Sequence, residues 1–271
     1  MTVLLLLAIG LLIGAVLGLT GAGGSVIAVP LLLVLLNLDP VSATGLALGV
    51  VAVSSLYGSV QRIRQREILW IPAILFGASG AIFAPMGRLL ATQVSPQVLT
   101  AGFSALSLLI ALRMLWQSIH DPQNSAVIRA GGGDSTTEAL LCRFSDTQQF
   151  DWRFRCMAGL TSGGVLTGLL SGLFGVGGGF MIVPFLNQLN SVSMRSAVAT
   201  SLVIIAAISA SGFAAHIAMY STDWHQLLYL SIGGVGGMLL GSLLARWLAG
   251  VYLQRLFAIA ILAMAALILV R

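Results

Sequence analysis

Two glycine clusters contain the residues whose spacing most clearly suggests chemistry, because each interrupts an otherwise apolar stretch. One cluster spans Gly21–Gly24 and the other spans Gly175–Gly179. A helix that starts after such a break begins with unpaired N–H groups and the positive end of its dipole. Two such helix starts converging inside a membrane would bind an anion without a lysine; a plain tight turn is the alternative. The candidate amide ligands are Gly21, Gly23, Gly24 and Ser25 in the first half, and Gly175, Gly177, Gly178 and Gly179 in the second.

Hydroxyl side chains form a second group of candidate ligands. Thr44 lies in the first half of the chain, and Thr200 and Ser201 lie in the second, each near the start of a long apolar run. These hydroxyls could contact an anion directly. The alternative is that hydroxyls in these segments only cap helix N-termini, a role that suits Ser42 and Ser196.

His216 is a candidate for coupling transport to protons. It follows Gly212 by one helical turn, near the predicted end of a span. An ionisable group inside a membrane is a functional candidate, and histidine can exchange a proton at physiological pH; a histidine at the membrane interface is the alternative. With Arg88 taken as a loop residue at the end of its run, the apolar runs contain almost no cationic side chain except Arg113. We therefore expect dipoles and hydroxyls, rather than ion pairing, to hold the anion.

The composition identifies the environment of these residues. The chain has 271 residues, of which 58% are hydrophobic and 8% are charged, and its mean hydropathy is +1.02. Soluble domains carry roughly 25% charged residues, so a soluble enzyme, a nucleic-acid binder and a disordered scaffold are excluded. The net charge of +5 is typical of basic cytoplasmic loops in a membrane protein. The predicted partners are the lipid bilayer and a small anionic substrate, with no nucleic acid and no cofactor.

The apolar runs occur twice. Residues 3–19, 26–36, 41–60, 68–90 and 98–116 are apolar, and a polar segment follows them. The second half then repeats the first without a gap at an offset of 154 residues, the separation of Pro30 from Pro184 and of Trp70 from Trp224. We predict an all-α polytopic membrane protein, since internal repeats of this kind are typical of secondary transporters. Its predicted parts are a first transmembrane repeat at 1–117, a polar cytoplasmic linker at 118–156 and a second repeat at 157–271.

Arginine positions predict how the two halves are oriented, because cytoplasmic loops are enriched in basic residues. Arg62–Arg66 follow the third apolar run, whereas the matching segment of the second half contains two histidines and an aspartate. If these arginines are cytoplasmic, the halves are inverted, both termini lie outside the cytoplasm of the cell, and Arg88 and Arg271 lie on the outer side. The short run 26–36 leaves two versions open: eight full spans plus two re-entrant or short helices, or ten spans.

Six further glycines are predicted to pack helices together rather than to bind a ligand. They recur every fourth residue, which is the spacing that lets two membrane helices approach closely. They are Gly10, Gly14 and Gly18 in the first half, and Gly164, Gly168 and Gly172 in the second.

The duplicated motif resembles that of the TauE/SafE sulfite exporter family of membrane permeases. The motif is Gly-Leu-x-Gly-x-Gly-Gly followed by Val-Pro, at 18–30 and again at 172–184, and 199–202 with Gly212 and His216 resembles the family's second conserved block. The resemblance implies a transporter of small anions, often sulfur oxyanions or organosulfonates. Ser25 departs from the family pattern, since it replaces the third consecutive glycine of the cluster.

The function predicted from these patterns is alternating-access transport of a small anion in the inner membrane, with proton coupling dependent on His216. A passive anion channel would use the same site without coupling. An intramembrane enzyme is disfavoured, because the spans contain no Gly-x-Ser-x-Gly, no His-Glu-x-x-His and no acidic pair. A scaffold protein would show neither flux nor stabilisation by a ligand.

Overall fold

A computed structural model describes residues 3–21, 24–64, 67–120, 154–179, 182 and 194–245. The described part is helical, without a strand, and six of its helices are long and apolar enough to cross a membrane. This agrees with the predicted all-α polytopic class. Most of the predicted linker lies outside the described residues. The helices are α1 (Val3–Thr20), α2 (Gly24–Leu36), α3 (Pro40–Ile63), α4 (Trp70–Gln93), α5 (Pro96–His120), α6 (Phe154–Phe174), α7 (Met194–Met219) and α8 (Trp224–Leu244).

The starts of α3 and α8 are fixed by aspartate caps. The carboxylate of Asp39 accepts a hydrogen bond from the backbone N–H of Ser42 at 3.0 Å, and Pro40 occupies the first turn. Asp223 accepts from the backbone N–H groups of His225 and Gln226 at 3.0 and 3.3 Å. The alternative role of Ser42 as the cap of α3 is excluded, because the carboxylate three residues earlier takes that role.

The six glycines predicted to pack helices do so. A methyl group on any of them would overlap backbone atoms of a neighbouring helix, so only glycine allows these helices to approach this closely. Residue numbers rise together along each pair, so α1 runs parallel to α8 and α4 runs parallel to α6. The contacts are Gly10 with Leu230, Gly14 with Gly234 and Gly18 with Met238, then Gly164 with Phe76, Gly168 with Gly80 and Gly172 with Ala84.

Helices α3 and α7 pack in the opposite sense. Along α3 from its start, Gly45 lies against the ring of His216, and Gly58 lies 3.4 Å (from an ideal Cβ) from Leu202 near the other end of α7. The residue numbers fall along α7 as they rise along α3, so the two helices are antiparallel. The start of α3 and the end of α7 therefore lie at the same end of the molecule.

Contacts between the halves recur at the sequence offset of 154 residues. Each glycine-packed contact of α1 with α8 has its counterpart between α6 and α4, and the central pair shows the same equivalence. The central sets are Gly58 with Met238 and Leu202, and Gly212 with Ala84 and Leu48. The two halves thus contact each other through equivalent surfaces.

The outer surface of the bundle is apolar. Leu4 is 79% exposed, Ile82 67% and Trp224 60%, as expected for side chains that face lipid or, for tryptophan, its interface with water. In contrast, α2 is largely buried. Its 13 residues extend about 20 Å, less than the roughly 30 Å of a bilayer core.

Candidate functional site

The two glycine breaks end α1 and α6 in the same way. Gly21 has φ 68° and Gly175 has φ 73°, a left-handed conformation that glycine adopts readily. The backbone N–H of Gly21 donates to the carbonyl of Leu17 at 2.7 Å, and that of Gly175 donates to the carbonyl of Ser171 at 2.8 Å. Each glycine therefore stops its helix as a left-handed C-terminal cap.

Each break lies against the long central helix of the other half. An ideal Cβ on Gly175 would lie 2.5 Å from the Cβ of Thr44 in α3, and a Cβ on Gly21 would overlap Val198 in α7. These contacts are equivalent at the offset of 154. The structure thus brings the predicted ligand Thr44 next to the second break, whereas the first break faces an apolar side chain.

The two halves converge at Gly177. An ideal Cβ there would lie 2.8 Å from Oγ of Ser209 and 3.3 Å from the Cβ of Ser25, with Val51 of α3 at 3.2 Å. Oγ of Ser209 is buried and has no hydrogen-bond partner among the described residues. The predicted residues Gly177 and Ser25 are therefore neighbours beside an unpaired hydroxyl, near the middle of α3. Sequence reasoning did not single out Ser209.

The other predicted ligands are placed differently. Ser201 donates to the carbonyl of Gly21 at 3.0 Å and so supports the first break. Thr200 accepts from the backbone N–H of Leu69 at 3.0 Å, so its oxygen caps the start of α4. Gly24 and Gly178 pack against Leu17 and Thr167 of the helix that precedes each of them, and Gly179 is buried. Gly23 lies outside the described residues.

A buried arginine lies beside Thr44. Arg88 is 1% exposed in α4. Its Nη1 donates to Oγ1 of Thr44 at 2.7 Å, and its Nη2 donates to the carbonyl of Val41 at 3.0 Å. Nη2 also lies 2.6 Å from Nδ1 of His216, which is 2% exposed. Because a guanidinium only donates, Nδ1 accepts, and in this arrangement His216 is neutral with its proton on Nε2.

Aromatic rings flank this arginine and histidine. The ring of Tyr220 lies 5.5 Å from Cζ of Arg88 and 5.3 Å from the His216 ring, on which it stacks. The ring of Phe213 also stacks on His216, with the two ring centroids 6.5 Å apart. The stack separates the guanidinium from water and adds a cation–π attraction. We call Arg88, Thr44, His216 and Tyr220 the Arg88 cluster.

Arg88 has neutral hydrogen-bond partners only. Among the described residues, the salt bridge joins Arg62 to Glu67 at 2.9 Å, and no carboxylate lies within 4.0 Å of Arg88. Nε of Arg88 is buried without a hydrogen-bond partner in the described part. The structure thus adds to the predicted dipoles and hydroxyls a buried cation, one of whose N–H groups has no hydrogen-bond partner among the described residues.

The sequence interpretation placed Arg88 on the outer side as a loop residue because it lies near the end of its apolar run. One signal could have identified it. Gly87 aligns with Gly241 in the repeat, so Arg88 lies within the aligned helix, where the second half has Ser242. A lone arginine within a conserved helical register faces protein more often than lipid.

A small crevice of about 10 Å³, roughly the space of one water molecule, reaches Thr44. It lies between α2, α3, α5 and the end of α6, and the rings of Phe103 and Phe174 border it with centroids 6.3 Å apart. Thr44 thus contacts the crevice, the second glycine break and Arg88. The lining residues are Val29, Leu33, Pro40, Thr44, Leu99, Thr100, Phe103 and Phe174.

The donors at these places suit an anion better than a metal ion. Guanidinium N–H groups and hydroxyls bind oxyanions, and no group of three or more His, Cys, Asp or Glu side chains in the described segments could hold a metal ion.

Comparison with known proteins shows which family the chain is similar to. A family model described as Sulfite exporter TauE/SafE matches residues 6–268. A probable membrane transporter protein of Xylella fastidiosa (strain 9a5c) is 28% identical over 271 residues, covering 97% of this chain and 93% of that protein. The probable membrane transporter protein YunE of Bacillus subtilis (strain 168) is 25% identical over 255 residues, covering 91% and 89%. No solved structure matches the chain significantly.

Proposed function

The chain belongs to the sulfite exporter TauE/SafE family of membrane transporters, and we propose that it is a secondary transporter that moves a small anion by alternating access. The proposed substrate is a sulfur oxyanion or an organosulfonate, carried across the inner membrane. One observation carries the proposal: the second glycine break, Ser25 and the unpaired hydroxyl of Ser209 converge at Gly177 beside the middle of α3. Irregular backbone at this depth is stable where it lines a polar cavity.

The proposed architecture is a pair of inverted repeats at 1–117 and 157–271, joined by a cytoplasmic linker at 118–156. The antiparallel packing of α3 against α7 supports it, because these helices occupy equivalent places in the two halves. Parallel repeats would give equivalent helices the same direction. With five crossings in each half, both termini lie outside the cytoplasm, and the fold contains eight full spans and two short helices that also cross.

The proposed anion site uses backbone amides of Gly177–Gly179 and Gly23–Ser25 with nearby hydroxyls. Ser209 joins Thr44 as a proposed hydroxyl ligand, since each side chain contacts the second break. Thr200 is reassigned to holding α4, because its oxygen already accepts from Leu69. A sulfonate or sulfite oxygen at Gly177 would lie beside the side chains of Ser25 and Ser209, with the apolar Val51 on the third side, and would be held without an ion pair.

The transport cycle follows from the equivalent contacts of the two halves. Helices α1 and α8 form one glycine-packed pair, and α4 and α6 form the other. Backbone contact makes each pair rigid, so the pairs would move as bodies about the central α3 and α7. Such motion exposes the Gly177 site to one face and then to the other, as in other repeat-built transporters.

The test is flux in liposomes that contain the purified protein. We expect saturable uptake of labelled sulfite, thiosulfate, taurine or sulfoacetate, with faster uptake when the vesicles are preloaded with the same anion. Gly177→Val should abolish this uptake, because Gly177 has φ 66° and a side chain there would meet Ser209.

Gly236→Val is the matched control, since an ideal Cβ on Gly236 meets nothing within 4 Å. This variant should transport as the wild type does. Linear flux without preloading stimulation would identify a passive channel. Absence of flux and of thermal stabilisation with every anion would contradict the transporter function.

A further inference from the structure

We propose that Arg88 is the cationic ligand of the transported anion and that the anion displaces His216 from the guanidinium, so that His216 takes up a proton with it. The inference rests on the proposed function, because it assumes that an anion is carried. It adds a charged binding site at the start of α3, apart from the convergence at Gly177.

The Arg88 cluster carries a positive charge that its hydrogen-bond partners do not balance. A buried cation needs a counter-charge, and its absence is strongly unfavourable. The partners of Arg88 among the described residues are Thr44, the carbonyl of Val41 and the neutral ring of His216. Asp39 caps the exposed start of α3 but lies more than 4.0 Å from the guanidinium, so its negative charge is distant from Arg88. The cluster therefore attracts an anion.

The free donor of Arg88, its Nε–H group, has a geometry that suits an oxyanion. Nε of Arg88 is buried and unpaired among the described groups. Nε–H and an adjacent Nη–H form the planar fork that binds two oxygens of a carboxylate, phosphate or sulfonate. An oxyanion on the edge formed by Nε and Nη2 must displace one acceptor of Nη2. The carbonyl of Val41 is fixed in the first turn of α3, so the imidazole of His216 is the partner that can leave.

The protonation state of His216 changes when the anion displaces it. While Nη2 donates to Nδ1 of His216, that nitrogen cannot hold a proton. Once the anion takes Nη2, Nδ1 can accept a proton from water, and the bound negative charge favours the imidazolium. The charged and titratable groups that face this histidine are Arg88 from α4, Tyr220 after the end of α7, and Asp39 at the start of α3. Binding of anion and proton is then mutually favourable.

The two halves differ at the positions of Arg88 and Thr44. At the repeat offset, Ser242 replaces Arg88 and Val198 replaces Thr44. Oγ of Ser242 donates within its own helix to Leu239 at 2.9 Å. Among the described residues, the buried cation is thus present at the end of the molecule where α3 begins, and the repeat-equivalent position at the other end is Ser242. The cation selects anions on one side of the transport path.

Thr44 links the Arg88 cluster to the Gly177 site. Its Oγ1 accepts from Arg88, and its Cβ lies against Gly175 of the second break. It also lines the crevice between α2, α3 and α5. An anion that leaves the guanidinium therefore passes along Thr44 to the glycine break.

The experiment compares variants in proteoliposomes, with sulfite and sulfoacetate as the probes and an internal pH indicator to follow protons. Sulfoacetate stays fully ionised near neutral pH, so proton movement reports on the protein. Arg88→Gln should raise the KM for the anion by about tenfold to hundredfold, the effect of losing hydrogen bonds to a charged group. Arg88→Lys should recover part of the loss, because it keeps the charge without the fork. Arg62→Gln, which changes a half-exposed arginine at the other end of α3, should leave KM unchanged.

A second measurement on the wild-type protein does not depend on a variant folding. Titration calorimetry with sulfoacetate in two buffers of different ionisation enthalpy should show uptake of about one proton per bound anion. Unchanged KM in a folded Arg88→Gln protein, or no proton uptake on binding, would overturn the inference while leaving a working transporter. No transport by the wild type with any anion would instead overturn the proposed function itself.

Discussion

Nη2 of Arg88 donates to Nδ1 of His216 across 2.6 Å, and this bond joins α4 to the end of α7. The two residues lie 128 positions apart, one in each repeat, so the bond crosses the interface between the halves. A transporter that moves the α4–α6 pair against the central α3 and α7 must strain or break such a bond. The bond therefore lies where substrate binding can be linked to movement.

His216→Gln should uncouple transport from the pH gradient. In the wild type, a lower pH on the side from which sulfoacetate enters should accelerate uptake, because protonated His216 and the bound anion stabilise each other. Glutamine preserves an acceptor for Nη2 but cannot take up a proton, so the rate should become independent of pH. Counterflow of sulfoacetate across imposed pH gradients measures this effect.

The control for that variant is His225→Gln. The side chain of His225 is exposed in the first turn of α8, and its backbone N–H donates to the carboxylate of Asp223. It should keep the wild-type pH dependence. If His216→Gln also keeps the wild-type pH dependence, another group carries the proton.

Gly45→Ala should impair transport more than it impairs folding. A methyl group on Gly45 would overlap the ring of His216, which must then turn away from Arg88 and release Nη2. We expect the pH dependence of transport to change and its coupling to protons to weaken. The free energy of unfolding should fall by about 1–3 kcal/mol, as for overpacked sites. Parallel measurement of sulfoacetate counterflow and of thermal unfolding in detergent separates the two effects.

Gly77→Ala is the comparison for this variant. Gly77 also lies within a spanning helix, but an ideal Cβ there meets its nearest neighbour at an ordinary 3.8 Å. It should therefore leave transport unchanged. Equal loss in both variants would show that any added methyl group in the bundle disturbs transport.

Gly14→Ala should destabilise the bundle without changing substrate preference. Its Cβ would overlap the carbonyl of Gly234 where α1 packs on α8, so the helices must separate along the whole contact. We expect a loss of about 1–3 kcal/mol. Gly236→Ala, with no neighbour within 4 Å, should instead be neutral or stabilise its helix by up to about 1 kcal/mol. Thermal unfolding in detergent would contradict this account if both variants melted alike.

Asp39→Ala should lower stability by about 1 kcal/mol near neutral pH through loss of the α3 cap. Partial burial raises the pKa of the Asp39 carboxyl, but hydrogen bonds from Ser42 outweigh burial and hold its pKa below its usual value. The stabilisation is therefore complete above the pKa of the unfolded chain and is lost as the pH falls through the folded pKa. The difference in melting temperature between wild type and Asp39→Ala should shrink in acid, whereas Asp39→Asn should stay capped. A difference that grows in acid would contradict this role.

Sequence periodicity was sufficient for the helices and for the glycines at which they pack closely, but not for which helix each one contacts. Glycines at every fourth position specify close backbone packing, because a side chain is excluded there, and Gly10, Gly168 and their equivalents pack as predicted. The offset of 154 also placed both breaks correctly, since Gly21 and Gly175 adopt the same conformation.

Side-chain partnerships across the chain could not be predicted in this way. Arg88 and His216 meet because α4 and α7 pack together, and no local pattern in either segment encodes that contact. The same reason explains Thr200, whose hydroxyl is taken by the backbone of Leu69 from the other half. Ser209 had no motif to mark it, because a serine within an apolar helix usually bonds to its own backbone.

The orientation of the halves makes the last prediction. If α3 and α7 are equivalent helices of inverted repeats, each half crosses the membrane an odd number of times, and the linker and the loop that contains Arg62–Arg66 face the cytoplasm. A phosphatase that is active only outside the cytoplasm should therefore be active when fused after Arg271 and inactive when fused within 118–156. A fluorescent protein that folds only in the cytoplasm should show the reverse pattern. Strong cytoplasmic fluorescence from fusions both within 118–156 and after Arg271 would contradict inversion, since the second half would then cross the membrane an even number of times.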